Sequence, residues 1–289
     1  MDAIVFKGYT AHQLEKQYNA RAAVADHEKI FEEWRMRSAD YRRQNECELD
    51  IPYASIERGT LDLFLPRQAH APVHIFIHGG FWRAMDKSDF SYLAEGLVAG
   101  GALVAVVNYG LCPAFSIAQI VCQIRDACEW LWRNCSKYGG NPDAIHVSGH
   151  SAGGHLTAMM MATDWLSLYP DLIPNLIKSG VALSGLFELE PMRYIPLNDD
   201  LNLDEKSARR SSPIFLNPLT DAPLSIIVGG EESEEFRRQS YHFFEKWRGR
   251  EASVEYLELP NLNHFTIIDQ MKTPGNALTQ TMLRHMGLT

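Results

Sequence analysis

Ala144-Ile145-His146-Val147-Ser148-Gly149-His150-Ser151-Ala152-Gly153 joins a short apolar run to an Ala- and Met-rich segment that reads as a helix over 152–163. A strand entering a helix through so tight a turn forces the central residue into strained backbone geometry. Small residues two positions to either side let strand and helix approach. Ser151 is thereby raised above the sheet with a helix N-terminus behind it, the setting a serine nucleophile needs.

Outward from this turn, short non-alternating apolar runs alternate with helical stretches. Strands are expected at 73–77, 103–107, 144–147, 180–183, 224–228 and 254–259. Helices are expected at 86–98, 117–138, 234–247 and 277–285, the second of these stopped by Gly139-Gly140-Asn141-Pro142. Strands buried on both faces and separated by helices predict an α/β fold with a mostly parallel central sheet. Ile56 and the alternating Leu61, Leu63 and Leu65 suggest an antiparallel pair at one sheet edge. Residues 1–45 read as a helical arm, with a capping box at Thr10 and Gln13 and with Ile30, Phe31, Trp34 and Tyr41 at helical spacing. The arm is expected to pack on the core; a bolder reading lets it wall a substrate pocket. Residues 187–212 interrupt the rhythm between two strands and predict a small cap insertion over the carboxyl ends of the strands. No linker or repeat divides the chain, so 1–289 is read as one domain.

Composition sets outer limits. Of 289 residues, 46% are apolar and 22% charged, the balance of a globular protein with a substantial core. A net charge of −9 disfavours nucleic acid as a partner. The longest aliphatic run, 102–107, is far short of the roughly 20 residues of a membrane span. Met1-Asp2-Ala3-Ile4 lacks a basic region before an apolar one, and five irregularly spaced cysteines suit reduced thiols, so a cytoplasmic location is expected. Cys122, Cys128 and Cys135 do not have metal-ligand spacing, and no metal or cofactor is expected. A homo-oligomer is compatible with the composition.

A second block, Phe76-Ile77-His78-Gly79-Gly80-Phe81-Trp82, follows the first parallel strand. Glycines there let backbone amides approach a substrate oxygen, so the N–H groups of Gly80, Phe81 and Ala152 are the expected oxyanion donors. Serine at neutral pH needs a base, and His264, after the last strand, is the candidate among eleven histidines. His146 and His155 belong to the strand and helix beside the turn, while His78 and His150 shape the backbone or line the site. The orienting acid should follow the strand at 224–228, where Gly229-Gly230-Glu231-Glu232 offers two neighbouring carboxylates that loop geometry does not separate.

With these segments in place, the chain resembles the α/β hydrolases of the arylformamidase (kynurenine formamidase) type, next to the hormone-sensitive-lipase-like carboxylesterases. The resemblance rests on His78 to Trp82, on Asn108-Tyr109-Gly110-Leu111-Cys112-Pro113, on Gly149 to Gly153, and on Glu232-Ser233-Glu234-Glu235-Phe236. Tyr18-Asn19-Ala20-Arg21 extends it to the N-terminus. It departs at Phe81, where the esterases usually carry a third glycine, at Gly110 and Cys112, and at Glu232, where aspartate is usual. The resemblance implies Glu232 as the acid. It further implies a serine hydrolase acting on an aryl formamide such as N-formylkynurenine through an acyl-enzyme, without cofactor. Trp82, Phe187, Tyr194 and His150 are the expected substrate contacts. A carboxylesterase for short acyl or aryl esters is the alternative within the enzyme class. A catalytically silent ligand-binding module is the alternative outside it, and the retention of Ser151 and His264 argues against that.

Overall fold

The computed structural model describes residues 3–249 and 253–288. A hairpin of β1 (Ile4–Phe6) and β2 (Tyr9–Thr10) precedes α1 (Ala11–Tyr18), α2 (Ala20–Ala23) and α3 (His27–Gln44). Then come β3 (Cys47–Pro52), β4 (Thr60–Phe64), β5 (Ala71–Ile77), α4 (Ala94–Ala99), β6 (Leu103–Val107) and α5 (Ile117–Asn134). β7 (Gly140–His150), α6 (Ala152–Met161), α7 (Trp165–Leu168) and β8 (Ile177–Leu183) follow. The chain continues through α8 (Asn198–Leu201), α9 (Glu205–Arg210), β9 (Leu224–Gly229), α10 (Glu234–Trp247), β10 (Val254–Leu259) and α11 (Ala277–His285).

Eight strands form one sheet in the order β10-β9-β8-β7-β5-β6-β4-β3. The six from β10 to β6 are parallel, while β4 pairs antiparallel with both β6 and β3. Two apolar cores result, one on each face, because neighbouring strand residues point opposite ways. Val73, Ile75 and Ile77 of β5 pack with Ile120 and Ile124 of α5, Leu156 of α6 and Phe243 of α10. Phe76 packs on the other side with Trp34 of α3, Leu97 of α4 and Met282 of α11. Six carboxyl strand ends therefore open on one edge of the sheet. No helix among the described residues is long and apolar enough to cross a membrane.

Several expected boundaries shift, each for a local reason. The first 45 residues are not helical throughout, since Lys7 and Gly8 take positive φ and turn the chain into the β1–β2 hairpin. The Thr10–Gln13 capping box does open α1. The antiparallel partner of β4 is β3, and Ile56 falls in the turn, where its carbonyl accepts from Gly59 N at 2.8 Å. The helix expected at 86–98 splits into two 3-10 turns before α4, because Asp86 caps Ser88 N and the Asp89 carboxylate accepts from Asp86 N. Lys87 is drawn inward to Asp62 (2.6 Å) and Asp50 (2.7 Å). α5 ends at Asn134, and its continuation to Tyr138 tightens into a 3-10 turn.

Candidate active site

β7 delivers Ser151 at φ 57° and ψ −115°, a conformation that costs of order 1–3 kcal/mol and persists only where the surroundings enforce it. The surroundings are close-packed backbone. A Cβ at Gly153 would lie 1.9 Å from the Ile77 carbonyl oxygen, and one at Gly149 would lie 2.3 Å from that of Gly153. Ser151 N donates to Leu183 O at 2.8 Å, which ties the turn to the end of β8. Ser151 is 3% exposed, and that exposure opens into a cavity of about 520 Å³ at the carboxyl edge of the sheet.

His264, in the segment after β10, lines the same cavity. Its Nδ1–H donates to Glu232 Oε2 at 2.6 Å. The other carboxylate oxygen, Oε1, accepts from Gly229 N at 2.8 Å and from the Ser184 hydroxyl. The glutamate arm thus curls back over the end of its own strand, which accommodates the methylene that separates it from aspartate. Glu231 is exposed, and its amide donates to Leu262 O instead. The structure therefore brings Glu232 to the imidazole and leaves Glu231 in solvent. Ser184 was not anticipated from the sequence; its position directly after β8, at a carboxyl strand end, is the signal that could have found it.

The loop after β5 supplies backbone donors. Gly80 has φ 105°, and the Gly80 carbonyl accepts from Arg83 N and Ala84 N, both at 3.1 Å. The N–H groups of Gly80, Phe81 and Ala152 find no acceptor among the described residues. Gly80 and Phe81 line the cavity, and Ala152 begins α6 immediately after Ser151. Amides without protein partners beside a serine suit a developing oxyanion. His78 stacks on Tyr109 with centroids 4.3 Å apart and its Nδ1–H donates to Gly79 O at 2.7 Å, which braces this loop; burial lowers its pKa to about 4.

His150 lines the cavity with its ring centroid 4.6 Å from that of His264. Burial, with the His264 imidazole beside it, holds its pKa well below the ordinary value, so the ring is neutral and Nε2–H donates to His264 O at 2.7 Å. Three other expected substrate contacts need correction. Trp82 is fully buried, at φ 56°, with its ring edge-on to His155 at 5.0 Å, because successive positive φ angles at Phe81 and Trp82 send Phe81 to the cavity and Trp82 to the core. Phe187 is fully buried and stacks on Phe243 at 4.2 Å. Tyr194 lies outside the cavity wall and donates its hydroxyl to Glu190 at 2.6 Å.

The aromatic wall comes from elsewhere. Tyr18, Phe31 and Trp34 of the N-terminal arm face the cavity together with Phe81 and Phe265. The arm both packs on the core and walls the pocket, so the two readings of its role coexist. Ile195, Pro196, Leu197 and Asp200, from the segment between β8 and β9, also line the cavity, and Arg83 forms an ion pair with Asp200 there.

Comparisons with known proteins place the chain among hydrolases. The BD-FAE family model matches residues 61–168. The chain is 31% identical to the kynurenine formamidase of Danio rerio over 83% of this chain and 82% of that protein. It is 32% identical to the kynurenine formamidase of Salmo salar over the same shares. Among solved structures, a candidate thioesterase from Silicibacter sp. tm1040 superposes with a TM-score of 0.82 at 30% identity, covering 93% of this chain and 98% of that one.

Proposed function

The chain belongs to the kynurenine formamidase family of α/β hydrolases, and from that membership we propose that it is a serine hydrolase cleaving aryl formamides such as N-formylkynurenine. The observation that carries the reading is the Glu232–His264 pair, 2.6 Å apart, opening with Ser151 on one aromatic-walled cavity.

Ser151 Oγ attacks the formyl carbon as His264 Nε2 takes its proton, and Glu232 stabilises the imidazolium through Nδ1–H. Negative charge on the former carbonyl oxygen meets the amides of Gly80, Phe81 and Ala152, which need no reorganisation because no acceptor among the described residues holds them. His264 returns the proton to the departing aryl nitrogen, the C–N bond breaks, and a formyl ester remains on Ser151. Water then attacks that ester by the same route in reverse roles, releasing formate and the free serine. Tyr18, Phe31, Trp34, Phe81 and Phe265 offer flat apolar contact to an aromatic leaving group.

The test is a side-by-side assay of N-formylkynurenine and a p-nitrophenyl ester, with a fluorophosphonate probe applied to the folded protein. A Ser151 adduct together with efficient formamide turnover supports the reading. A kcat/KM at least a hundredfold higher for the ester makes the chain a carboxylesterase, and failure to label Ser151 removes the serine mechanism.

A further inference from the structure

Four charged side chains stand on the cavity wall: Glu15, Arg21, Arg83 and Asp200. Arg83 and Asp200 neutralise one another. Arg21 and Glu15 enter no ion pair and no side-chain hydrogen bond among the described residues. Arg21 is nonetheless placed: its guanidinium lies over the Phe31 ring at 5.6 Å. Phe31 meets Phe265 edge-on at 4.9 Å, and Phe265 meets the His264 imidazole at 5.5 Å. Two aromatic rings thus lead from the general base to an unpaired cation.

We propose that Arg21 and Glu15 recognise a zwitterionic α-amino acid tail on the aromatic part of the substrate, Arg21 taking the carboxylate and Glu15 the ammonium. The inference rests on the aryl-hydrolase reading of the site. An aryl group lying along Phe265 and Phe31 with its acyl end at Ser151 projects its far substituent towards Arg21. A substituent carrying only negative charge would gain Arg21 and be opposed by Glu15. One carrying both charges uses both residues and keeps the cavity mouth neutral overall. Guanidinium and carboxylate form charge-assisted, directional hydrogen bonds, whereas an ammonium on Glu15 adds a point contact. Both residues belong to the N-terminal arm, on α1 and α2, so the arm would act as the specificity element for a reaction carried out by the sheet loops.

The experiment compares kcat/KM for N-formylkynurenine with that for formanilide, which lacks the tail, in wild type, Arg21→Gln, Arg21→Lys and Glu15→Gln. Arg21→Gln should lower the ratio of tailed to untailed substrate about 30-fold, chiefly through KM, since the interaction is common to ground and transition states. Arg21→Lys should restore part of it, and Glu15→Gln should lower the ratio about fivefold, less than Arg21→Gln because a single point contact is lost. The Glu15→Gln effect should vanish with a substrate lacking the α-amino group. A ratio within twofold of wild type in Arg21→Gln overturns the proposal, as does an equal loss on both substrates, which would mark a purely structural arginine. Should wild type turn over neither formamide, a pair of aryl esters with and without the amino acid tail reads the same ratio. In that case the formamidase reading fails while the role of Arg21 is still decided.

Discussion

Ser151→Ala removes the attacking oxygen and leaves the amides of Gly80, Phe81 and Ala152 in place. The proposed route then predicts a fall in kcat of about 10⁴-fold or more, with a residual rate from oxyanion stabilisation and binding alone. Single-turnover kinetics on this variant should show no formyl-enzyme. Glu232→Gln is the sharper test of the acid. Both carboxylate oxygens act as acceptors, Oε2 from His264 Nδ1–H and Oε1 from Gly229 N and Ser184, so an amide NH₂ in either orientation faces a donor, His264 Nδ1–H or Gly229 N–H. Either the imidazole turns or changes tautomer, or Gly229 N loses its acceptor, and in both cases the imidazolium loses the negative charge that stabilises it, at a cost of about 10³- to 10⁴-fold in kcat. Glu231→Gln, in solvent one residue away, should stay within about threefold of wild type, a surface change remote from the site. Equal losses in the two variants would move the acid away from Glu232.

At the scale of elements, the β7–α6 turn and the N-terminal arm bear the consequences. Gly153→Ala would place a methyl 1.9 Å from the Ile77 carbonyl oxygen, where no rotamer change relieves the clash because the obstacle is backbone. Separation of β5 from α6 should cost about 3 kcal/mol or more, read as a lower urea midpoint, and a midpoint equal to wild type would disprove the packing argument. Tyr18→Phe breaks the stitch between α1 and α10. The Tyr18 hydroxyl donates to Glu235 at 2.7 Å and accepts from Gln239 Nε2 at 2.7 Å. The loss should be about 1–3 kcal/mol, with Gln239 left short of one acceptor. The same elements mark what the sequence could disclose. β5, β7 and β9 were legible because burial on both faces leaves short, mostly apolar runs without alternation, and the turn at Ser151 because its small residues answer a local steric demand. The pocket wall was not legible. Trp82 is diverted from the cavity by backbone angles that no residue pattern encodes, and Phe187 by a stack on Phe243 from an element far along the chain. Phe31 and Trp34 reach the site only because the arm docks beside the carboxyl ends of the strands.

For the whole molecule, buried histidines link the fold to pH. Burial lowers the pKa of His74 to about 3, and those of His78, His146 and His155 to about 4, while His150 is also held well below its ordinary value. Each folded pKa lies below the unfolded value of about 6.5. Above that pH the rings are neutral in both states and add nothing. As pH falls below it, the unfolded chain binds protons that the folded chain refuses, so stability declines until the folded pKa values are reached. His74, His78, His146 and His155 each forfeit up to about 1.4 kcal/mol per pH unit in that window, or about 2 kcal/mol by pH 5, and His150 acts in the same direction. The four together lose about 8 kcal/mol, within the roughly 5–15 kcal/mol by which a domain of ordinary stability is folded. Urea titrations should therefore give a free energy of unfolding that is level from pH 8 to 7 and falls steeply between pH 6 and 4.5, with several protons taken up on unfolding. Partial relaxation around the rings would shrink the slope without changing its sign. His74 and His146 are buried in the sheet, and a stability that stays level down to pH 5 would mean that water reaches these rings in the folded protein.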